Sequence, residues 1–435
     1  MDTPRTAPQR DRLPSLTGLR FWAALLVVLY HLSREYRPLP WISPLVWYSR
    51  DGVTFFFVLS GFVLAWSYAG RGVPATVFYW RRLVRIGPLH LLATGFAVAV
   101  SLALGAAVAP RGVLLSLPLL QAWTRGTSTA GNPAAWSLSA EAWFYLLLPL
   151  LLPFLLRRRT RTLAALGLVA SGCGLLLWLG VGPVAPPALR GWLLDYFPLS
   201  RTPQFLLGAV TGLAVRRGAR VRVRVPARAW MPARVHGRPV RVPVGAAVAG
   251  LLLWHLALVR WHHAVPDGRW YGPYSASQLL VAPLFALLIA TAAGRDADGR
   301  TGRLGSPWMR RLGHWSFAWY LVHQTCLRLA LATFGPPHGP WQTLGGWLLV
   351  LALSLALAAA LHTWVEHPVE AHLRTRGPGA YTPQAATAPP QPQRPLLPGA
   401  RTAPDHADAP GAPESRSPIS CPSPLLAGES PMRGR

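Results

Sequence analysis

The sequence predicts an all-α integral membrane protein of about ten transmembrane helices in one bundle, with both termini cytoplasmic. Three observations predict it. Hydrophobic residues make up 51% of the 435-residue chain and charged residues only 13%, the balance of a lipid-solvated chain rather than of soluble domains. The apolar residues fall in runs of roughly 17 to 25, the length an α-helix needs to cross about 30 Å of hydrocarbon. The 43 basic residues, every one an arginine, are sorted between those runs and weighted to one face.

Taken in order, the runs lie near 16–32, 51–70, 88–109, 134–156, 162–183, 196–215, 244–260, 276–293, 312–334 and 342–365. The first follows a basic leader, as a signal peptide would. No small-residue cleavage site comes after it, however, and the chain continues as His31-Leu-Ser-Arg-Glu, so it reads as an uncleaved span. Segment 112–123 is too brief to cross and reads as re-entrant or interfacial.

An N-terminus inside gives the inner segments 33 arginines, among them nine between 216 and 241, and the outer loops eight. Cytoplasmic loops are enriched in basic residues in this way. The asymmetry explains the formal charge of +28 by topology and leaves no need for a nucleic-acid partner. From Gly377 onward there are 14 prolines in 59 residues, a composition that cannot bury a core and predicts a disordered cytoplasmic tail. The expected organisation is a cytoplasmic segment 1–14, a membrane domain 15–370 and a Pro-rich tail 371–435. Cys173, Cys326 and Cys421 have neither a disulfide nor a metal-site spacing, and no metal is expected.

Chemistry is sought among ionisable residues inside the spans, where they are costly and functional by default. Between Asp51 and Asp195 the only carboxylate is Glu141, inside the fourth run. His31 ends the first run and Arg20 begins it. Eleven residues are just over three turns, so the two lie on nearly one face about 16 Å apart, a cation at one end of a groove and an imidazole at the other. Arg81, Arg82 and Arg85 precede the third run with i,i+3 and i,i+4 spacing, a cluster able to hold phosphates through bidentate hydrogen bonds. His323 lies eleven residues into the ninth run, at a depth like that of His31, and Glu141 is expected near the same depth. An acyl-CoA entering from the cytoplasm could then set its phosphates on the arginines and its thioester deep in the protein. A secondary transporter with a His/Glu proton relay is the competing reading.

Read together, several ordered segments resemble the acyltransferase-3 family of membrane acyltransferases over residues 13–370. They are Leu16-Thr-Gly-Leu-Arg20 through His31, Phe55-Phe-Phe-Val-Leu-Ser60-Gly-Phe62, Arg81-Arg-Leu-Val-Arg85-Ile-Gly-Pro88 and Trp136-Ser-Leu-Ser-Ala-Glu141-Ala-Trp-Phe-Tyr145. Then follow Phe205-Leu-Leu-Gly208, the stretch from Leu312 to His323, and Glu366-His-Pro368. Thr54, Ala142 and Gln204 stand where many members carry acids. The resemblance implies a multi-pass enzyme of a bacterial plasma membrane that moves an acetyl or other short acyl group from acyl-CoA to a hydroxyl of a polysaccharide, glycolipid or small molecule. It further implies acyl-CoA binding by Arg20, Arg81, Arg82 and Arg85, and catalysis by His31 as base with Glu141 supporting it. Ser60, Trp136, Ser137, Tyr145, Arg201 and His323 would shape the pocket.

Overall fold

A computed structural model describes residues 13–224, 239–264 and 273–378. Every apolar run falls mainly on helix, although the third outlasts its helix, which ends at Ala103, and the eighth is broken at Val281. The long elements are α1 (Pro14–His31), α3 (Gly52–Tyr68), α4 (Ala75–Ala103), α6 (Trp136–Leu156), α7 (Thr160–Val181), α9 (Pro198–Arg216), α10 (Val244–Ala264), α12 (Ala282–Ala297), α13 (Pro307–Phe334) and α14 (Pro340–Leu361). Short helices α2 (Ser43–Val46), α5 (Pro110–Ser116), α8 (Pro187–Gly191), α11 (Pro273–Leu280) and α15 (His367–Arg376) join or extend them, and a three-residue hairpin pairs Arg222–Arg224 with Pro239–Arg241.

Eight helical segments are long and apolar enough to cross a membrane among the described residues, so the chain is a multi-pass membrane protein. The other two predicted runs correspond to α9 and α13. These are long but more polar, α13 alone carrying Arg310, Arg311, His314, His323, Gln324 and Arg328. Helix α4 begins at Ala75 rather than near 88, because Pro88 sits inside it and does not start it. The arginine motif is therefore helical. Helix α15 carries regular structure to Arg376, while the Pro-rich tail beyond residue 378, and Cys421 with it, lies outside the described residues.

Two close helix crossings fix the bundle. On α9 a Cβ added at Gly208 would stand 1.9 Å from the Val58 carbonyl oxygen of α3, and on α13 one added at Gly313 would stand 1.9 Å from the Thr17 carbonyl oxygen of α1. Small residues let membrane helices approach to backbone contact, which substitutes for the hydrophobic drive that lipid does not supply. Helices α10 and α14 expose rows of leucine, such as Leu252, Leu253, Leu348 and Leu353, as lipid-facing helices do. Arginines close helix ends: Arg217 Nη2 donates to the Leu156 carbonyl at 2.7 Å and Arg216 Nη1 to the Trp66 carbonyl at 3.0 Å. Cations are favoured at helix C-termini, where the last carbonyls lack intrahelical partners.

Segment 112–123 does not cross. It folds as α5 and a 3-10 turn, and Gln121 and Asn132 are fully buried. Asn132 Nδ2 donates to the Leu321 carbonyl of α13 at 2.8 Å. This tucked-in stretch starts α6 in the protein interior, with residues 136–140 all buried.

Candidate active site

Among the described residues three π-turns interrupt or extend the helices, at Leu32–Tyr36, Trp192–Tyr196 and His362–Glu366. Such turns occur disproportionately at functional sites. Each carries a carboxylate paired with a basic group: Glu35 with His31, Asp195 with Arg50, and Glu366 with Arg85.

Two cavities lie between the central helices. The first, about 290 Å³, has Arg20, Ser60, Arg82, Arg85, Ser137 and Glu141 among its polar walls. The second, about 250 Å³, is lined by His31, Glu35, Trp136, Tyr196, His323 and Gln324 among others. Val53 and Tyr320 belong to both walls, so these side chains form the partition.

In the first cavity, the Nε atoms of Arg20 and Arg82 have no hydrogen-bond partner among the described residues. The Arg82 guanidinium lies 5.7 Å from the Tyr68 ring and 5.9 Å from the Tyr145 ring, and its Nη2 donates to the Tyr68 hydroxyl at 3.3 Å. Arg85 is different, because its Nη1 donates to Glu366 and, at 2.9 Å, to Glu370. Its charge is met from within the protein. That leaves Arg20 and Arg82 as the cations of this wall with donors to spare. Arg81, half-buried, is not among the lining residues.

In the second cavity, His31 Nδ1 lies 2.6 Å from Glu35 Oε1, and Gln324 Nε2 donates to the same oxygen at 3.0 Å. The His323 ring, 1% exposed, is 5.1 Å from that of His31. Its Nδ1 donates to the Tyr320 carbonyl at 2.7 Å, and its Nε2 has no partner among the described residues. Trp136 packs edge-on to Tyr196 at 5.1 Å. Arg201 stands behind Trp136, its guanidinium 5.8 Å from the ring, and donates to the Asp195 carbonyl at 2.7 Å and to Gln278 Oε1 at 2.8 Å. It braces the wall without lining it. Thr54 Oγ1 and Gln204 Nε2 both donate to the Gln278 carbonyl, at 2.7 and 2.8 Å, so two of the positions that depart from the family pattern share one acceptor.

The expected pairing of His31 with Glu141 is corrected. Glu141 Oε1 accepts from Tyr145 at 2.6 Å and from Ser60 at 3.4 Å, on the arginine cavity, and the carboxylate on His31 is Glu35. The reason is the tucked-in segment before α6: depth counted from the outer end of that run places Glu141 beside His31, whereas the helix starts inside the protein and carries Glu141 towards Arg20. Glu35 was legible as the i,i+4 neighbour of His31. Gln324 and Tyr320 had no signal of their own beyond flanking His323.

Residues 13–363 match the acyltransferase domain of the acyltransferase-3 family, and the chain belongs to that family. It is 32% identical over 409 residues to Acyltransferase MdmB of Streptomyces mycarofaciens, covering 87% of this chain and 97% of that one. It is also 29% identical over 167 residues to O-acetyltransferase OatA of Staphylococcus aureus, covering 34% of this chain and 26% of that one. No solved structure matches. The chain is thus a membrane acyltransferase, which sets aside the transporter reading.

Proposed function

We propose that this acyltransferase takes an acetyl or other short acyl group from cytoplasmic acyl-CoA and passes it to a hydroxyl of a carbohydrate, lipid or small-molecule acceptor. In this reading ten helices cross a bacterial plasma membrane, α9 and α13 included, with both termini inside. The observation that carries it is the pair of cavities meeting at Tyr320, one walled by arginines and the other by a carboxylate-held histidine.

The donor's phosphates sit on Arg20 and Arg82, whose unspent N–H groups suit bidentate contact with phosphate oxygens. Glu141, held by Tyr145 and Ser60, orients that wall. The thioester reaches towards Tyr320, and the acceptor hydroxyl enters the second cavity. Glu35 accepts the Nδ1 proton of His31, which leaves the Nε2 lone pair free. Nε2 removes the acceptor's proton as its oxygen bonds to the thioester carbon, and Glu35 stabilises the imidazolium. Collapse breaks the C–S bond, and the imidazolium returns the proton to the departing thiolate.

The test separates binding from chemistry with purified protein in detergent. Arg82→Ala should weaken acetyl-CoA binding about tenfold, the value of one charged hydrogen bond. His31→Ala should bind acetyl-CoA normally and release no CoA thiol. Near-normal turnover by His31→Ala removes the base assignment, and unchanged affinity in Arg82→Ala removes the donor site.

A further inference from the structure

The partition between the cavities is itself chemical. Tyr320, on α13 one turn before His323, is 7% exposed and lines both cavities. Its hydroxyl lies 2.8 Å from Ser137 Oγ, and either oxygen can be the donor. Ser137 Oγ has a second acceptor, the Ala134 carbonyl, at a longer 3.3 Å. The ring packs edge-on to Phe56 at 5.9 Å and lies 5.9 Å from the His323 ring. Ring position is therefore fixed by packing while the hydroxyl proton is free to choose its partner.

A thioester and a hydroxyl that arrive from the two sides meet at this residue. As the acceptor oxygen attacks, the carbonyl π electrons move onto oxygen, and that oxygen needs a donor. Arg20 and Arg82 line the first cavity and not the second, Arg50 and Arg328 line the second and not the first, and Tyr320 lines both.

We infer that Tyr320 is a catalytic residue, its phenol O–H donating to the carbonyl oxygen of the thioester as negative charge develops there, with Ser137 as its positioning partner. The inference rests on the acyl-CoA reading above. Ser137 rotates its proton from the weak Ala134 contact to Tyr320 Oη, which turns the Tyr320 proton out towards the substrate. The new C–O bond forms as the acceptor proton passes to His31 Nε2. The tetrahedral oxygen accepts from Tyr320 without being protonated. When the carbonyl re-forms, the C–S bond breaks and the thiolate takes the proton from His31. One preorganised donor of this kind contributes about 10²- to 10³-fold in kcat.

The test needs no acceptor. Acetyl-CoA labelled with carbon-13 at its carbonyl is bound to the purified full-length protein, and the isotope-edited infrared band of the thioester carbonyl is compared with that of the free donor. Wild type and His31→Ala should both move the band to lower frequency. Tyr320→Phe keeps the ring and should return it to the free position, with acetyl-CoA affinity within about threefold of wild type, since a hydrogen bond to the neutral carbonyl contributes little net to ground-state binding and strengthens as charge develops. Ser137→Ala should lower the band shift partially, and serves if Tyr320→Phe does not insert. An unchanged band in Tyr320→Phe, or in Ser137→Ala where only that variant folds, overturns the inference and leaves the donor site standing. Failure of wild type to bind acetyl-CoA overturns the acyl-CoA reading and this inference with it.

Discussion

Glu35→Gln tests the proposal that Glu35 orients His31 as the general base. The carboxylate meets Nδ1 at 2.6 Å and shares its oxygen with Gln324 Nε2 at 3.0 Å. A hydrogen bond to a charged group contributes about 1.5–3 kcal/mol, and each 1.36 kcal/mol is about tenfold in rate, so its loss predicts a fall of about ten- to 150-fold. Glu35 has a 37% exposed side chain, and water will replace part of what is lost, which favours the lower half of that range. The glutamine amide adds a second effect. If its N–H turns to Nδ1, the imidazole proton moves to Nε2 and the base is gone, as happens when a buried orienting aspartate becomes asparagine in a serine-protease triad. The assay is transfer from labelled acetyl-CoA in membranes, scaled to the amount of inserted protein, with acetyl-CoA binding measured in parallel. Binding should be unchanged, and His31→Ala/Glu35→Gln should be no slower than His31→Ala, because residues acting as a unit are not additive. Turnover within twofold of wild type for Glu35→Gln would refute the dyad.

Two further predictions follow from charges elsewhere. Arg85→Ala leaves Glu366, 2% exposed at its side chain, without its arginine, and breaking a buried pair costs about 3–5 kcal/mol; a much lower melting temperature in detergent, partly recovered by Arg85→Ala/Glu366→Gln, is the expected result. Tags at the N-terminus, in the 216–241 loop and at Arg435 should be protected from membrane-impermeant reagents on the outside, and a tag near Gly268 should react, whereas protection at Gly268 would contradict the proposed ten-span arrangement.

Much of the fold was legible because the solvent is lipid. A run that must satisfy all its backbone groups internally has to be a helix, so hydropathy alone located most of the elements, the more polar α9 and α13 among them, but set the start of α4 near 88 instead of at Ala75. Depth was not legible. Counting turns from a loop assumes that the helix begins at the membrane surface, and α6 begins instead beneath the buried Gln121 and Asn132. That one displacement moved Glu141 from the expected imidazole to the arginine wall. The arginine motif had the converse problem: its spacing was visible in sequence, but that Arg85 spends its charge on Glu366 and Glu370 required α15, more than 280 residues away in the chain, to be seen beside α4. Glu35, four residues from His31, could have been found from spacing alone, yet the sequence reading passed it over for Glu141.

The π-turn beyond α1 explains why His31 can work with so near a neighbour. In a regular helix the i and i+4 side chains stack along the axis, and a histidine so stacked points one nitrogen at its partner and the other along the helix surface. Here the chain widens at Leu32–Tyr36 and leaves the helix at Arg37, whose backbone is extended. The wider turn after His31 carries Glu35, and the packing of α1 on α13, allowed by Gly313 against the Thr17 carbonyl, brings Gln324 against the same carboxylate oxygen. The dyad thus draws its orientation from a local widening and its rigidity from a distant helix crossing. Gly313→Leu should accordingly disturb His31 chemistry from the far end of α13. In the little protein that still inserts, turnover should fall further than acetyl-CoA binding, which weakens too because Thr17 and Arg20 share the wall of the first cavity, and equal loss of both would show that the crossing supports the whole bundle rather than this site.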